Sequence, residues 1–216
     1  MLAKDYELIL YDLDGTIWDS IPLIMSCFKH AYVEVTGRCD RTDEDLMSYI
    51  GKPLTDTFAM HDEKTAKALL DSYLTYNHML LEQDVIPMFP GVADSLNRIK
   101  AKGIRQGVVT SKRIYSAGVT LKLKGLDDFF DVYVCKEDTD KHKPDAEPLL
   151  FAAGKLGITD MSKVIYVGDA MPDALCAKNA GAKFALVSWS SMDKEAIMAA
   201  APEGSVVIGS LKELVN

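Results

Sequence analysis

The amino-acid sequence predicts an α/β protein built on a parallel sheet. Short apolar runs alternate with segments of helical spacing along most of the chain, which is typical of parallel strands linked by helical crossovers. Strands of this kind are buried on both faces and lack the apolar–polar alternation of half-exposed strands. The first run is followed by a long interval that contains only helical patterns. The predicted fold class is therefore α/β, with a Rossmann-like parallel sheet, helices on both faces and an inserted all-helical cap domain.

The individual elements follow from apolar runs and from glycines placed after helical segments. Gly103, Gly157 and Gly181 each follow such a segment, where glycine commonly ends a helix. The predicted strands are 8–11, 107–110 (the end of the second strand), 132–134, 164–168, 184–187 and 206–208. The predicted helices of the core are 92–101, 115–124, 146–156, 174–179 and 211–215.

The helical interval runs from about residue 20 to residue 82, with breaks at 36–37 and 51–53. Pro22 suits a first helical turn, and the acids 43–45 suit a helix start because they complement the helix dipole. We predict that residues 18–85 form the helical cap domain and that 1–17 and 86–216 form the α/β core. The alternative is a single long crossover, but connections in compact α/β units are short.

Charge and composition exclude some classes of binding partner. A formal net charge of −8 argues against a nucleic-acid surface, which carries a basic stripe, although local cations and a metal can reverse the potential in one cleft. There is no apolar run of membrane-spanning length and no secretory pattern at the N-terminus. The four cysteines are scattered and the four histidines lack zinc-type spacing. We therefore expect a cytoplasmic protein with buried thiols, no nucleic-acid partner and no membrane partner.

The segment Asp12-Leu13-Asp14-Gly15-Thr16 places two carboxylates directly after the first apolar run. Charge at the end of a buried strand is costly unless it is compensated, and the repulsion between two neighbouring acids favours a bound cation. Gly15 permits a turn that a side chain would obstruct, and Thr16 adds a hydroxyl. The alternative is an ordinary turn rich in aspartate and glycine.

Two further strands end in polar groups, Thr110 with Ser111 and Asp169 with Asp173, and Lys143 precedes a predicted helix. Because the carboxyl ends of parallel strands meet at one edge of a sheet, these residues can share a cleft with Asp12. Taken singly, each has a common alternative role. Thr110 and Ser111 suit a helix N-cap, Lys143 a solvated lysine, and Asp173 an acid in the first turn of a helix.

In this order, Asp12-x-Asp14-Gly15-Thr16, Thr110, Lys143-Pro144 and Gly168-Asp169-x-x-x-Asp173 resemble the four motifs of the haloacid dehalogenase superfamily of phosphotransferases. The resemblance covers about residues 8–189. Within the superfamily, the chain is similar to the branch of phosphoglycolate phosphatases and pyrophosphatases that carries a helical C1 cap. The segments 50–58 and 108–112 are similar to the pyrophosphatase-like members in particular.

The resemblance implies that Asp12 is a nucleophile that forms an aspartyl-phosphate, and that Asp14 is a general acid/base. It implies a Mg²⁺ ion held by the Asp12 carboxylate, the backbone carbonyl of Asp14 and Asp169, with Asp173 orienting the metal shell.

The resemblance also implies roles in substrate binding. Thr110 and Ser111 would hold phosphate oxygens, and Lys143 would neutralise charge on the nucleophile and on the phosphoryl group. Further candidates for substrate contact are Thr16, Lys112 beside the phosphate-binding pair, and Lys52 in the cap.

These roles predict a Mg-dependent phosphatase that hydrolyses a small phosphomonoester (phosphoglycolate-like) or pyrophosphate, as a monomer or homodimer. One alternative is a sugar phosphomutase of the same superfamily, which shares the nucleophile. The other is a non-catalytic module that binds a phosphate ligand, although such a module needs neither nucleophile nor acid/base. A dehalogenase is disfavoured, because that branch lacks the second acid and Asp14 is present.

Overall fold

The structure is a computed structural model, and it describes residues 6–50 and 52–215. It contains two compact units. The first consists of the residues up to Asp19 together with those from Met88 onwards, and the second is Ser20–Pro87. The predictions made for the N-terminal residues 1–5 and for Gly51 lie outside the described residues.

The first unit is built on a six-stranded sheet in which every pairing is parallel. Its strands are β1 (Leu8–Tyr11), β2 (Arg105–Val109), β3 (Val132–Val134), β4 (Val164–Gly168), β5 (Lys183–Val187) and β6 (Val206–Ile208). The order across the sheet is β3-β2-β1-β4-β5-β6. Strands β1 to β3 are added towards one edge of the sheet and β4 to β6 towards the other, so the switch point lies between β1 and β4. This arrangement confirms the predicted fold class. Open sheets of this type bind ligands at such a switch point, beyond the carboxyl ends of the strands.

The pairing register aligns the ends of the central strands. Tyr11, the last residue of β1, lies opposite Val108 of β2 and Val167 of β4. The amide of Asp12 continues this pattern by donating to the carbonyl of Val167 over 2.9 Å. The residues that follow β1, β2 and β4 therefore emerge at the same edge of the sheet.

Within residues 20–50 and 52–87, the second unit contains four helices: α1 (Ile21–Thr36), α2 (Asp43–Met47), α3 (Leu54–Phe58) and α4 (Glu63–Leu81). Pro22 lies in the first turn of α1 and the acids 43–45 lie in the first turn of α2, as the sequence predicts. Thr42 and Asp45 also form a capping box at the start of α2. α1 and α4 pack along each other. The Phe28 ring lies 4.9 Å from that of Tyr73 and 5.9 Å from that of Phe58, which forms an aromatic core.

The first unit carries five further helices: α5 (Val92–Ala101), α6 (Ile114–Leu123), α7 (Glu147–Lys155), α8 (Met171–Ala180) and α9 (Lys194–Ala200). The predicted helix over 174–179 begins three residues earlier, because Pro172 suits a first turn and the Asp173 side chain accepts from the backbone at the start of the helix. The predicted helix over 211–215 is a 3-10 helix. α9 was missed by the sequence analysis.

The side chains of β1 pack to opposite faces of the sheet. Leu8 and Leu10 belong to a cluster that includes buried residues of α7 and α8. The hydroxyl of Tyr11 instead donates to Gln106 Oε1 over 2.9 Å, and the Gln106 amide donates to the carbonyl of Leu96 in α5. β1 is thus covered on both faces, which accounts for its continuous apolar run. In the part of the chain that the structure describes, no helix is long and apolar enough to cross a membrane.

Candidate active site

The candidate site lies at the carboxyl edge of the sheet, where side chains that follow β1 and β4 converge. Asp12, Asp169 and Asp173 are buried, and each offers a carboxylate oxygen within 4.8 Å of the others. Asp12 Oδ1 lies 3.1 Å from the ammonium of Lys143. Apart from this ammonium, no described residue offers this Oδ1 atom a hydrogen bond. The structure thus brings Lys143 and three of the four predicted metal-site acids together in one cluster.

The turn after β1 is shaped to admit Asp169. Gly15 has φ of +79°, a backbone conformation that favours glycine, and a Cβ atom there would lie 2.2 Å from Asp169 Oδ2. The hydroxyl of Thr16 donates to Asp169 Oδ1 over 3.2 Å. Thr16 is fully buried, so its hydroxyl supports an acid of the cluster from inside the protein.

Asp173 contacts both the ammonium of Lys143 and the backbone at the start of α8. Its Oδ1 accepts from Lys143 Nζ over 2.7 Å, and its Oδ2 accepts from the amide of Ala170 over 3.1 Å. Asp173 is therefore both an acid in the first turn of α8 and the partner of Lys143. The side chain of Lys143 is only 5% exposed, so the alternative of a solvated lysine is wrong.

Tyr166, in the middle of β4, contributes a hydroxyl that the sequence analysis missed. It donates to the carbonyl of Val109 over 2.7 Å and accepts from Lys143 Nζ over 3.2 Å. Tyrosine in a buried strand reads as an apolar core residue, so the sequence carries no indication of this contact. A second missed residue is Ser190, whose hydroxyl donates to the carbonyl of Asp169 over 2.6 Å.

Asp14 lies apart from the acid cluster and has its own partners. The Lys112 ammonium lies 3.0 Å from Asp14 Oδ1 and 3.1 Å from Oδ2. The indole N–H of Trp18 donates to Oδ1 over 2.9 Å. The Asp14 carboxylate is therefore not part of the acid cluster, and it forms an ion pair with Lys112.

Thr110 and Ser111 follow β2 at the same edge of the sheet. The amide of Thr110 donates to the carbonyl of Val134, and its hydroxyl accepts from the amide of Lys112 over 3.2 Å. α6 begins at Ile114 with Arg113 as its N-cap, so the alternative that Thr110 or Ser111 caps this helix is wrong. Thr110, Ser111 and Lys143 line one small cavity, together with Cys135 and His142.

Lys52 lies in the second unit, in the turn that precedes α3, and its side chain is exposed. The four cysteines are free, and Cys27, Cys135 and Cys176 are buried, as expected. Cys39 is half-buried, which corrects the expectation of buried thiols at that position.

Burial and charge shift the protonation of the cluster. Burial raises the pKa of Asp12 to about 6. The positive charge of Lys143 lowers this pKa, and the negative charge of Asp173 raises it further. Burial, followed by the charges of Asp173 and Asp12, raises the pKa of Asp169 well above its usual range. Burial alone would lower the pKa of Lys143, but attraction to Asp12 and Asp173 outweighs it and raises this pKa. Lys143 is therefore a permanent cation at neutral pH.

The charge balance of the cluster fits a divalent cation. Three buried carboxylates face one buried ammonium, which leaves an excess of two negative charges when all of them are ionised. Buried charge without compensation is costly, and carboxylate oxygens are preferred ligands of Mg²⁺. Asp12 Oδ1 has no hydrogen-bond donor among the described residues apart from the Lys143 ammonium, which fits the same conclusion.

Fold and site together define a class: an α/β protein with a buried carboxylate cluster at the switch point of a parallel sheet. The model of the haloacid dehalogenase-like hydrolase family matches residues 9–187, so the chain belongs to this family. This match confirms the resemblance seen in the four motifs.

Individual relatives agree with the family assignment. Pyrophosphatase PpaX of Bacillus velezensis is 33% identical over 204 residues, which cover 94% of this chain and 93% of that protein. A Clostridium perfringens protein whose name also refers to pyrophosphatase PpaX is 36% identical over 195 residues and covers 90% of each chain. A haloacid dehalogenase-like protein from Bacteroides fragilis has a crystal structure that superposes with a TM-score of 0.86 at 28% identity, covering 97% of this chain and 100% of that one.

Proposed function

We propose that this hydrolase is a magnesium-dependent phosphatase that acts on pyrophosphate or a small phosphomonoester through an aspartyl-phosphate. The observation that carries the proposal is the buried Asp12 carboxylate, which lies 3.1 Å from a permanently charged lysine and beside two further acids. Pyrophosphate is supported by relatives that carry the name pyrophosphatase. A phosphoglycolate-like ester is supported by the motifs that resemble that branch of the family.

Asp12 is the proposed nucleophile. A carboxylate oxygen of Asp12 forms a bond to phosphorus while the bond between phosphorus and the leaving oxygen breaks, and the electron pair departs with that oxygen. Its pKa of about 6 leaves Asp12 mainly ionised at neutral pH. Water then attacks phosphorus, inorganic phosphate is released and the Asp12 carboxylate is restored.

Asp14 is the proposed acid/base. It gives a proton to the leaving oxygen in the first step and takes one from the attacking water in the second. Asp14 is separated by one residue from the nucleophile, and its carboxylate lies outside the acid cluster, where it contacts the ammonium of Lys112.

The phosphoryl group carries negative charge that must be offset before an anion can approach it. Lys143 is the proposed cation for this purpose, since its ammonium already contacts the nucleophile. Thr110 and Ser111 are the proposed donors to phosphate oxygens, through a hydroxyl and a backbone amide. Both residues line the same cavity as Lys143.

The proposed magnesium ligands are the carboxylates of Asp12 and Asp169 and the backbone carbonyl of Asp14, with Asp173 orienting this group. When bound, the ion supplies positive charge that offsets the charge of the phosphoryl group. The contacts of Thr16 with Asp169 and of Asp173 with Lys143 hold these side chains in place from inside the protein.

We propose further that the helical unit, predicted as residues 18–85, is a cap that sets substrate specificity. Its place in the sequence supports this role, since it is inserted between β1 and α5. Lys52 is the candidate for a substrate contact from this unit. Replacing Lys52 with alanine should raise KM for the preferred substrate without lowering kcat.

The test is phosphate release from purified protein supplied with pyrophosphate and a panel of phosphate esters, each with magnesium and with a chelator. Asp12→Asn should abolish turnover while the protein stays folded, because the amide is not a nucleophile. A variant that retains turnover near the wild-type level, or activity that a chelator leaves unchanged, refutes the assignment.

A further inference from the structure

The ammonium of Lys112 forms an ion pair with Asp14. Its ammonium lies 3.0 and 3.1 Å from the two oxygens of Asp14. The Lys112 side chain is 7% exposed, against 20% for Asp14. The lysine is therefore covered more completely than the acid that it contacts, and Asp14 is the part of the pair that remains accessible.

The backbone of Lys112 is held from two directions. Its amide donates to the Thr110 hydroxyl over 3.2 Å, and its carbonyl accepts from the amide of Lys136, just after β3, over 3.0 Å. The next turn is anchored by Glu137, which accepts from the amide of Ile114 over 2.9 Å. These contacts hold the backbone of Lys112, and the two contacts with Asp14 hold the ammonium at the other end of the side chain.

The other partner of Asp14 comes from its own loop. The Trp18 indole N–H donates to Asp14 Oδ1 over 2.9 Å, and Trp18 is fully buried. An ammonium that contacts both oxygens and an indole that contacts one of them select a single orientation of the carboxylate. Replacing Lys112 removes the one contact described here that reaches both oxygens of the carboxylate, and rotation about its side-chain bonds becomes easier.

We propose that Lys112 is the positioning residue of Asp14: it holds this carboxylate in the orientation that proton transfer to the leaving oxygen requires. The proposal rests on the proposed function, in which Asp14 is the acid/base. Proton transfer needs the donor within hydrogen-bond reach of the acceptor, so an acid that rotates freely transfers its proton less effectively. In this role Lys112 acts through Asp14.

Two aryl phosphates of nearly the same shape provide the test. Phenolate leaves poorly and benefits from a proton donor, whereas p-nitrophenolate leaves readily because its nitro group spreads the negative charge. The measurement is kcat/KM for phenyl phosphate and for p-nitrophenyl phosphate with magnesium, since this ratio reports the steps up to the departure of the leaving group. The proteins are wild type, Lys112→Met, Lys112→Arg and the control Lys122→Met, an exposed lysine of α6.

Lys112→Met should lower kcat/KM for phenyl phosphate by about tenfold or more and that for p-nitrophenyl phosphate by less than about threefold. Lys112→Arg should restore most of the loss, and Lys122→Met should match wild type for both substrates. An equal loss with both substrates overturns the proposal, because a contact to the shared phosphoryl group or a purely structural role predicts that result.

Failure of the proposed function gives a different result. Wild type that releases no phosphate from either aryl phosphate or from pyrophosphate refutes the phosphatase assignment itself. Crystal structures of wild type and Lys112→Met then decide the positioning role without any turnover. A changed Asp14 orientation in the variant supports it, and an unchanged orientation overturns it.

Discussion

Gly15 and Asp169 are separated by more than 150 positions in the sequence, yet a single methyl group added to Gly15 would lie 2.2 Å from Asp169 Oδ2. The turn after β1 therefore leaves space for a carboxylate that is delivered by β4. The hydroxyl of Thr16 donates a hydrogen bond to the same carboxylate.

Gly15→Ala should lose most catalytic activity and destabilise the protein by about 2 kcal/mol, because alanine is strained at this positive φ and displaces Asp169. Chemical denaturation and phosphate release measure the two effects. Gly118→Ala is the matched control, since nothing lies within 4 Å of an added Cβ there and alanine favours the helix. Equal effects of the two substitutions would contradict this account.

Asp169→Asn should stabilise the metal-free protein at neutral pH by about 1–3 kcal/mol, because it removes one charge from a crowded, buried cluster. The asparagine carbonyl can still accept from Thr16. Magnesium should raise the melting temperature of wild type and leave that of the variant nearly unchanged. Thermal melts with magnesium and with a chelator provide the measurement, and a variant that magnesium stabilises as strongly as wild type would refute Asp169 as a ligand.

Asp12→Asn should change the pH dependence of stability in the metal-free protein. The folded-state pKa of Asp12 is raised from 3.8 to about 6, so wild type loses stability from this group as pH rises from about 4 to about 6. The difference corresponds to roughly 3 kcal/mol. The stability advantage of the variant should therefore grow across this window and level off above it, as measured by denaturation at a series of pH values. Asp128→Asn, which replaces an exposed acid, is the control substitution.

Tyr166→Phe should lower both stability and turnover, because the lost hydroxyl contacts the carbonyl of Val109 and the ammonium of Lys143. We expect a cost of about 1–2 kcal/mol. Tyr133→Phe removes a half-buried hydroxyl bond to the carbonyl of Leu126, away from the acid cluster, and should cost stability while leaving turnover unchanged. A variant at position 166 with full turnover would contradict a role in holding Lys143.

Cys135 and Cys176 should resist alkylation in the folded protein. Burial raises the pKa of each thiol to about 12, so the reactive thiolate is about one part in ten thousand at pH 8. Cys39, which is half-buried, should react first. Mass spectrometry after iodoacetamide treatment, with and without denaturant, gives the order, and rapid labelling of Cys135 in the native protein would contradict it.

The strands and the family can be predicted from the sequence because both depend on patterns among residues that are close together in the chain. Continuous apolar runs identify parallel strands because such strands are buried on both faces, and the four ordered motifs identify the family. The roles of Asp12, Lys143 and Asp169 stay predictions. Their convergence at one sheet edge, however, follows from topology alone, since the ends of parallel strands meet there.

Tertiary structure alone decided which partner each polar side chain takes. Lys112 reads in the sequence as a lysine at the entrance of a site, but 98 positions separate it from the acid that it contacts. Tyr166 reads as a core residue, yet its hydroxyl touches a lysine that is 23 positions away. Local patterns record burial and periodicity, whereas such contacts depend on strand register and side-chain orientation, which are set only when the whole sheet has packed.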